Sequence, residues 1–252
     1  MPMVQTLLIN QSLIMNVIIT GASRGMGRAI ADKFAANNHN IILCARNAVL
    51  LYKTMEELLM KYPHAIVKAM PADLSIPEEA KSFGSWVQEQ TGKMPGGGVD
   101  ILVNNAGQFI PGSIYNEEEG TLESMIGVNL YSAYHLTRAL LPSMMARKWG
   151  HIFNICSIAS LNAYNNGGAY SISKFALLGF SKNLREEMKQ HGIKVTAVMP
   201  GAVYTDSWKG SDISPERIME SEDIAALIIA AAQLSKQAVV EEIIVRPQLG
   251  DL

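Results

Sequence analysis

A tyrosine and a lysine stand one helical turn apart in Tyr170-Ser171-Ile172-Ser173-Lys174, and Ser157 precedes the tyrosine by thirteen residues. Positions i and i+4 of a helix share one face, so the phenol and the ammonium can address the same point. A free phenol ionises at about pH 10, and a cation about 4 Å away supplies roughly the 4 kcal/mol needed to bring this toward neutrality. The spacing predicts an acid/base device, although an ordinary exposed pair of helical neighbours has the same spacing.

The overall composition bounds the class of protein. The 252 residues include no long Pro-, Ser- or charge-rich linker, which favours one large α/β domain over residues 15–252. The formal net charge is −2 and the 21 basic residues are scattered, so neither a nucleic-acid surface nor a membrane patch is expected. The two cysteines lie in separate apolar runs and the five histidines are dispersed. We therefore expect reduced thiols, a cytoplasmic location and no metal site.

Residues 1–14 precede the first convincing strand. They contain two short apolar stretches but neither a basic leader nor an apolar run that could span a bilayer, so a signal peptide is not expected. We interpret them as an N-terminal extension, which reflects either a misassigned start codon or an added strand or disordered arm.

Short apolar runs rich in Ile and Val alternate with segments of helical period. Continuous apolar strands separated by helices indicate a parallel sheet covered on both faces. Right-handed crossovers then give a doubly wound α/β fold of the Rossmann type. The runs are residues 16–20, 40–45, 65–70, 99–104, 151–156, 194–199 and 242–245.

The first apolar run leads directly into a glycine-rich turn, and a helix begins near Arg28. Glycines in such a turn let backbone N–H groups and the helix N-terminus approach a pyrophosphate. The spacing G-x-x-x-G-x-G is neither the G-x-G-x-x-G fingerprint nor a P-loop, but its place between strand and helix favours nucleotide binding over a plain turn. The candidate contacts are Gly21, Ser23, Arg24, Gly25, Met26 and Gly27.

Arg46, rather than a carboxylate, stands at the end of the second predicted strand. A carboxylate there would accept from the ribose hydroxyls of NAD, whereas an arginine can pair with the 2′-phosphate of NADP. We therefore expect NADP(H) to be preferred over NAD(H), the alternative being that Arg46 is an ordinary solvated residue. Asp73, followed by Leu74, is placed after the third strand to accept from the adenine amino group, and it could equally cap a helix.

Two amide motifs and a serine complete the set. The fourth strand ends in Asn104-Asn105-Ala106-Gly107, small and amide residues that let a cofactor pass over the strand ends. The amphipathic segment 121–145 carries Asn129, which either satisfies a neighbouring helix or kinks the backbone and holds a water. Ser157 lies at the carboxyl edge of the fifth strand, where it could hydrogen-bond a substrate carbonyl and the Tyr170 phenol. A serine nucleophile is disfavoured because no G-x-S-x-G elbow is present.

Taken together, these residues resemble the short-chain dehydrogenase/reductase family in its compact single-domain branch. The resemblance runs from Asn16 to the C-terminus and depends on motifs that occur in the family's order. It implies a seven-stranded sheet with strand order 3-2-1-4-5-6-7 and a homodimer or homotetramer. The motifs are Thr20-Gly21-x-x-x-Gly25-x-Gly27, Asn104-Asn105-Ala106-Gly107, Asn129, Ser157, Tyr170-x-x-x-Lys174, and Pro200-Gly201 followed by Thr205.

The resemblance also implies the role of each residue. Tyr170 would be the general acid/base, Ser157 would orient the carbonyl, and Lys174 would favour the ionised phenol and bind the nicotinamide ribose. Asn129 would anchor a water. The carboxamide of the nicotinamide would contact Pro200, Gly201, Val203 and Thr205. The implied activity is NADP(H)-dependent transfer of a hydride between the nicotinamide and a carbonyl or secondary alcohol of a small molecule.

Three other functions stay open at this point. A 3-oxoacyl-carrier-protein reductase would need a basic docking patch, for which Arg138, Arg147 and Lys148 are the nearest candidates. The tail at 239–247 is similar to that of bacterial sepiapterin-reductase-like members, which points to a pteridine substrate. A regulatory protein that senses NADPH without turnover is disfavoured because it has no need of proton-transfer groups.

The substrate side is expected to be both polar and aromatic. The loop 161–168 is rich in amides, and Cys156 occupies a position where the family often has a second serine. The segment 205–220 is polar and contains glycine, so we expect a mobile lid. The other pocket candidates are Gln108, Phe109, Tyr204 and Trp208.

Overall fold

The computed structural model describes residues 14–205 and 213–251, so residues 1–13 of the predicted extension, Trp208 and the middle of the expected lid lie outside the described residues. Seven strands form one parallel sheet in the order β3-β2-β1-β4-β5-β6-β7, which confirms the predicted fold and strand order. The strands are β1 Asn16–Thr20, β2 Asn40–Cys44, β3 Val67–Ala69, β4 Ile101–Asn104, β5 Gly150–Ile155, β6 Ile193–Pro200 and β7 Glu242–Val245.

Helices cover both faces of the sheet. Phe34 and Ile228 lie in the apolar core on one face, where α1 packs against α7, and Phe83 and Leu136 lie in the core on the other, where α3 packs against α5. The helices are α1 Gly25–Ala36, α2 Ala48–Lys61, α3 Pro77–Gly92, α4 Thr121–Ile126, α5 Ser132–Arg147, α6 Gly168–Met188 and α7 Ser221–Ala232. Within the described ranges, no helix is long and apolar enough to cross a membrane.

The segment 121–145 is not one continuous α-helix, since a π-helical turn over Gly127–Tyr131 separates α4 from α5. Asn129 lies in this turn, and its fully buried side chain also bonds Gln108 and Ser173, which belong to other elements. A π-turn widens the backbone ring and commonly marks functional sites. The regular α-helical hydrogen bonding is therefore interrupted at Asn129.

At the amino ends of the strands, a buried carboxylate holds neighbouring segments together. Asp100, 6% exposed, accepts hydrogen bonds from the Asn16 backbone N–H at 2.8 Å and from the Trp149 indole at 3.0 Å, and it pairs with Arg147 at 3.1 Å. Arg147 also donates to the Gly97 carbonyl oxygen at 2.9 Å. Arg147 therefore links loops of the protein to one another and points inward. It is not available to the basic docking patch that an acyl carrier protein would need.

Candidate active site

The glycine turn between β1 and α1 is held by the end of β4. The Thr20 hydroxyl accepts from the backbone N–H groups of Asn105 and Ala106, both at 2.9 Å, and the Asn105 amide donates to the carbonyl oxygens of Thr20 at 2.9 Å and Gly21 at 3.2 Å. The Asn105 side-chain oxygen is buried and has no hydrogen-bond partner among the described residues. These hydrogen bonds therefore hold the glycine turn directly against the end of β4.

Three glycines make that approach sterically possible. Gly21 and Gly25 have φ angles of +62° and +53°, a region that side chains disfavour. A Cβ at Gly27 would collide with the Gly21 carbonyl oxygen and would lie 2.5 Å from the Asn105 amide nitrogen. The N-terminus of α1 thus opens onto a cradle of bare backbone that fits a pyrophosphate.

Beyond this turn, Arg46 and Asp73 follow neighbouring strands. The Arg46 guanidinium lies 3.8 Å from the Asp73 carboxylate, and both side chains are partly exposed. The other Asp73 oxygen accepts from the Ser75 backbone N–H at 3.0 Å and from the Ser75 hydroxyl at 2.7 Å, so Asp73 shapes the turn before α3. Leu74 is buried in the core beneath it. No carboxylate stands at the end of β2 itself, and this arrangement fits the 2′-phosphate of NADP.

Lys174 links helix α6 to the end of β5. Its ammonium donates to the Ile155 carbonyl oxygen at 2.8 Å, its side chain is only 5% exposed, and its nitrogen lies 5.7 Å from the Tyr170 ring centroid. Tyr170 and Lys174 do share one face of α6, as their spacing predicted. Within residues 14–205 and 213–251, no carboxylate forms an ion pair with Lys174, and the Tyr170 ring lies beside its ammonium.

Ser157 begins the short 3₁₀ turn Ile158–Ser160 directly after β5. Its hydroxyl oxygen accepts from the Ala159 backbone N–H at 3.1 Å, and no hydrogen bond joins it to Tyr170 in the described part of the chain. The hydroxyl proton is not used by that bond, which leaves it available to a ligand. Ser157 thus faces the same cavity as Tyr170 without contacting the phenol.

Asn129 connects three elements around helix α6. Its side chain exchanges hydrogen bonds with the backbone of Gln108, accepting at 2.8 Å and donating at 3.0 Å, and it donates to the Ser173 hydroxyl at 2.9 Å. Ser173 in turn donates to the Tyr170 carbonyl oxygen at 2.7 Å. A Cβ at Gly107 would lie 3.2 Å from the Asn129 oxygen and 3.6 Å from the Lys174 nitrogen. This glycine lets the chain pass between the two groups.

The candidate residues border a cavity of about 550 Å³ at the carboxyl edge of the sheet. Several predicted site residues lie outside the cavity wall, where they hold the glycine turn, the neighbouring strand ends or the π-turn. Those in the wall are Met26, Asn105, Gly107, Ser157, Tyr170, Lys174, Pro200, Gly201, Val203 and Thr205. Those outside it are Gly21, Ser23, Arg24, Gly25, Gly27, Arg46, Asp73, Leu74, Ala106 and Asn129.

The rest of the wall is apolar and amide-bearing. Phe109 packs its ring edge-on against Tyr170 at a centroid distance of 4.8 Å. Burial and the neighbouring Tyr170 raise the pKa of Tyr164 to about 12, so its phenol stays a neutral donor at physiological pH. Burial likewise raises the pKa of Cys156 to about 11, which keeps that thiol protonated. Of the other predicted pocket residues, Gln108 lies in the wall and Tyr204 does not.

The C-terminal tail also reaches the cavity, which the sequence alone did not indicate. Arg246 and Asp251 form an ion pair in the wall, and Arg217 donates to the carbonyl oxygens of Leu249, Gly250 and Asp251. The available signal was the position of Arg246 directly after β7, because the residue that follows a parallel strand lies at the ligand-binding edge.

Comparison with known proteins defines the class. The family model for short chain dehydrogenases matches residues 15–214. This chain belongs to that family. It is 34% identical to the sepiapterin reductase of Chlorobaculum tepidum over 244 residues, which cover 94% of this chain and 97% of that protein.

Two solved structures are similar along nearly the whole chain. A metagenomic short-chain oxidoreductase in complex with NADP is 32% identical with a TM-score of 0.80, covering 94% of this chain and 98% of the other. An alcohol dehydrogenase from the archaeon Thermococcus sibiricus, complexed with 5-hydroxy-NADP, is 28% identical with a TM-score of 0.84, covering 93% and 97%.

The glycine turn yields a steric prediction. We expect Gly27→Ala to weaken binding of NADPH, the expected cofactor, at least tenfold, because the added methyl group must push the Gly21 carbonyl and the Asn105 amide apart. Cofactor fluorescence titration measures the effect. Gly92→Ala is the matched control, since a Cβ there meets nothing within 4 Å. Equal affinities for the two variants would contradict the role of this cradle.

Proposed function

We propose that this chain, as a single domain over residues 15–252, is an NADPH-dependent reductase of small-molecule carbonyl compounds, with Tyr170 as the general acid. The observation that carries the proposal is the buried Lys174 ammonium, held by Ile155 at the end of β5 and facing the Tyr170 ring at the edge of the cavity. A cation in that position favours the ionised phenol left after proton transfer. The NADP and 5-hydroxy-NADP complexes of the similar structures support the choice of cofactor.

The residues divide the reaction between them. A hydride for the carbonyl carbon would be supplied by NADPH, held at the glycine turn and the neighbouring strand ends. The Ser157 hydroxyl donates a hydrogen bond to the carbonyl oxygen and keeps its proton, which fixes the orientation of the substrate. Tyr170 transfers its phenolic proton to that oxygen as negative charge develops, and the Lys174 ammonium stabilises the phenolate that remains. Asn129 holds the backbone of Gln108 and, through Ser173, the carbonyl of Tyr170, so it fixes the start of the catalytic helix.

Cofactor choice follows from the strand ends. Arg46 lies where the 2′-phosphate of NADPH would extend beyond β2, and its only described ion pair is a loose one to Asp73. The same cleft offers no carboxylate at the end of β2 for the free ribose hydroxyls of NADH. The preference for NADPH therefore depends mainly on the charge of Arg46.

The substrate is best sought as a ketone or aldehyde with a partly aromatic body. The cavity offers Phe109 and Tyr164 as apolar faces, and the sepiapterin reductase relative makes pteridines with a side-chain carbonyl one class to include. A carrier-bound acyl thioester is less favoured because Arg147 is committed to Asp100 and Arg138 packs against the Tyr134 ring. We further propose a homo-oligomer and a cytoplasmic location.

The decisive assay follows the absorbance of NADPH while ketones, pteridines and acyl thioesters are offered in turn. Turnover with one class supports the reductase and identifies its substrates. Tight NADPH binding without turnover on any class would contradict the proposal and favour the sensing alternative.

Replacing the phenol tests the proton donor. We expect Tyr170→Phe to lower kcat by at least a thousandfold, because the ring remains but no proton can be transferred, while the affinity for NADPH changes less than threefold. Stopped assays with high enzyme concentration measure the residual rate. Tyr115→Phe, at a position 88% exposed, serves as the control. A Phe variant at position 170 with near-normal kcat would rule out the assigned role.

Replacing the arginine tests the cofactor preference. A charge-assisted pair with phosphate is worth about 1.5–3 kcal/mol, so Arg46→Ala should raise the dissociation constant for NADPH roughly 10- to 100-fold. The affinity for NADH should stay unchanged because NADH lacks the 2′-phosphate. The exposed Lys81, changed to Ala, is the control for general loss of positive charge. A parallel loss of affinity for both cofactors would show that Arg46 does not read the phosphate.

A further inference from the structure

Helix α6 lacks a side-chain cap of its own. Its N-cap residue is Gly167, which has no side chain to accept from the exposed N–H groups of the first turn. This helix carries Tyr170 at its third residue and Lys174 one turn later. An uncapped first turn frays readily, and fraying would move the phenol directly.

A carboxylate from a distant loop supplies the missing acceptor. Glu117, 52 residues earlier, accepts a hydrogen bond from the Ala169 backbone N–H at 2.7 Å. Ala169 is the residue immediately before Tyr170. Negative charge at a helix N-terminus is favoured by the helix dipole, and a carboxylate acceptor strengthens the bond. The contact therefore caps the catalytic helix from outside.

The surrounding backbone is shaped to admit this carboxylate. A Cβ at Gly168 would collide with the Glu117 carboxylate and would lie 2.6 Å from the Gly112 carbonyl oxygen, and a Cβ at Gly112 would lie 2.7 Å from the Glu117 side chain. Glycines thus stand on both sides of the contact. The Gly112 N–H also donates to the Asn166 carbonyl oxygen at 3.1 Å, and the Ser113 hydroxyl donates to the Asn166 side chain at 3.0 Å.

The loop fixed in this way also shapes the substrate side. Segment 108–120 begins at Gln108, whose backbone is held by Asn129, and continues through Phe109, whose ring edge packs against Tyr170. Glu117 then fastens the far end of the segment to the start of α6. The phenol is thus positioned from two sides by one segment that lies 50 or more residues away in sequence.

We propose that Glu117 is a positioning residue that holds the first turn of α6, and with it the Tyr170 phenol, in place for proton transfer. The inference rests on the proposed function of Tyr170. Glu117 touches neither cofactor nor substrate in this scheme. Its loss should lower the rate of the chemical step while leaving cofactor affinity intact.

The test compares Glu117→Ala, Glu117→Gln and the control Glu118→Ala in the full chain. The amide oxygen of Gln can still accept from Ala169, whereas Ala cannot, and Glu118 is exposed. We expect Glu117→Ala to lower kcat at least tenfold with KM for NADPH changed less than twofold. Glu117→Gln should recover kcat to within about threefold of the parent, and Glu118→Ala should match it.

Hydrogen exchange of the Ala169 amide provides a readout independent of turnover. Exchange over residues 166–174 should accelerate in Glu117→Ala and not in Glu118→Ala. This measurement does not require a substrate or turnover. If Glu117→Ala does not fold, Glu117→Asp replaces it, since the shorter side chain withdraws the acceptor. Unchanged exchange and unchanged kcat would overturn the proposal, as would a Gln variant as impaired as Ala. A parent chain without turnover would instead overturn the proposed function, and the exchange result would still decide whether Glu117 holds the helix.

Discussion

The structure around the candidate site depends on one buried cation. Taking an ammonium out of water costs several kcal/mol even after the protein relaxes, so Lys174 must be compensated where it lies. The Ile155 carbonyl oxygen, 2.8 Å away at the last residue of β5, provides one partner. The Tyr170 phenol provides an ionisable neighbour. The position of Lys174 therefore depends on both the end of β5 and the start of α6.

That arrangement requires α6 and β5 to keep a fixed separation. The two elements are joined by the 3₁₀ turn at Ser157 and the loop 161–167, and α6 then packs against β6 beside it. Asn129 adds a second tie, since it bonds Ser173 on α6 and the backbone of Gln108 after β4. Asn129 makes both contacts from the π-turn Gly127–Tyr131, which lies between α4 and α5. A local departure from ideal helix geometry is thus part of the site.

The sequence predicted those features that depend on local spacing. Apolar runs located all seven strands to within a few residues, although β3 is only Val67–Ala69, shorter than the run at 65–70. The parallel arrangement followed from continuous burial, and the resemblance to a family supplied the strand order. The glycine turn and the shared face of Tyr170 and Lys174 were readable because positive φ angles and helical periodicity are properties of short segments.

Contacts between distant segments could not be predicted from local sequence patterns in the same way. In the sequence, Glu117 looks like an ordinary solvated loop residue within the run Glu117-Glu118-Glu119. Nothing in the local sequence distinguishes it from its two neighbours. Only the fold shows which of the three meets Ala169. The same applies to Arg246 and Asp251, whose ion pair forms because the tail turns back over Gly201. Asp73 illustrates the converse, since a local turn with Ser75 engages one of its oxygens and leaves the other toward Arg46.

The two sides of the candidate site are built from different parts of the chain. The cofactor side is built mainly from backbone, namely glycines, a helix N-terminus and strand ends, and such geometry changes little between proteins that share the fold. The substrate side is built from side chains of three segments far apart in sequence, which contribute Phe109, Tyr164 and the Arg246–Asp251 pair. None of these residues belongs to a strand of the sheet. Under the proposed function, the fold shared with relatives bears on the hydride transfer, whereas the choice of substrate would follow from these particular side chains.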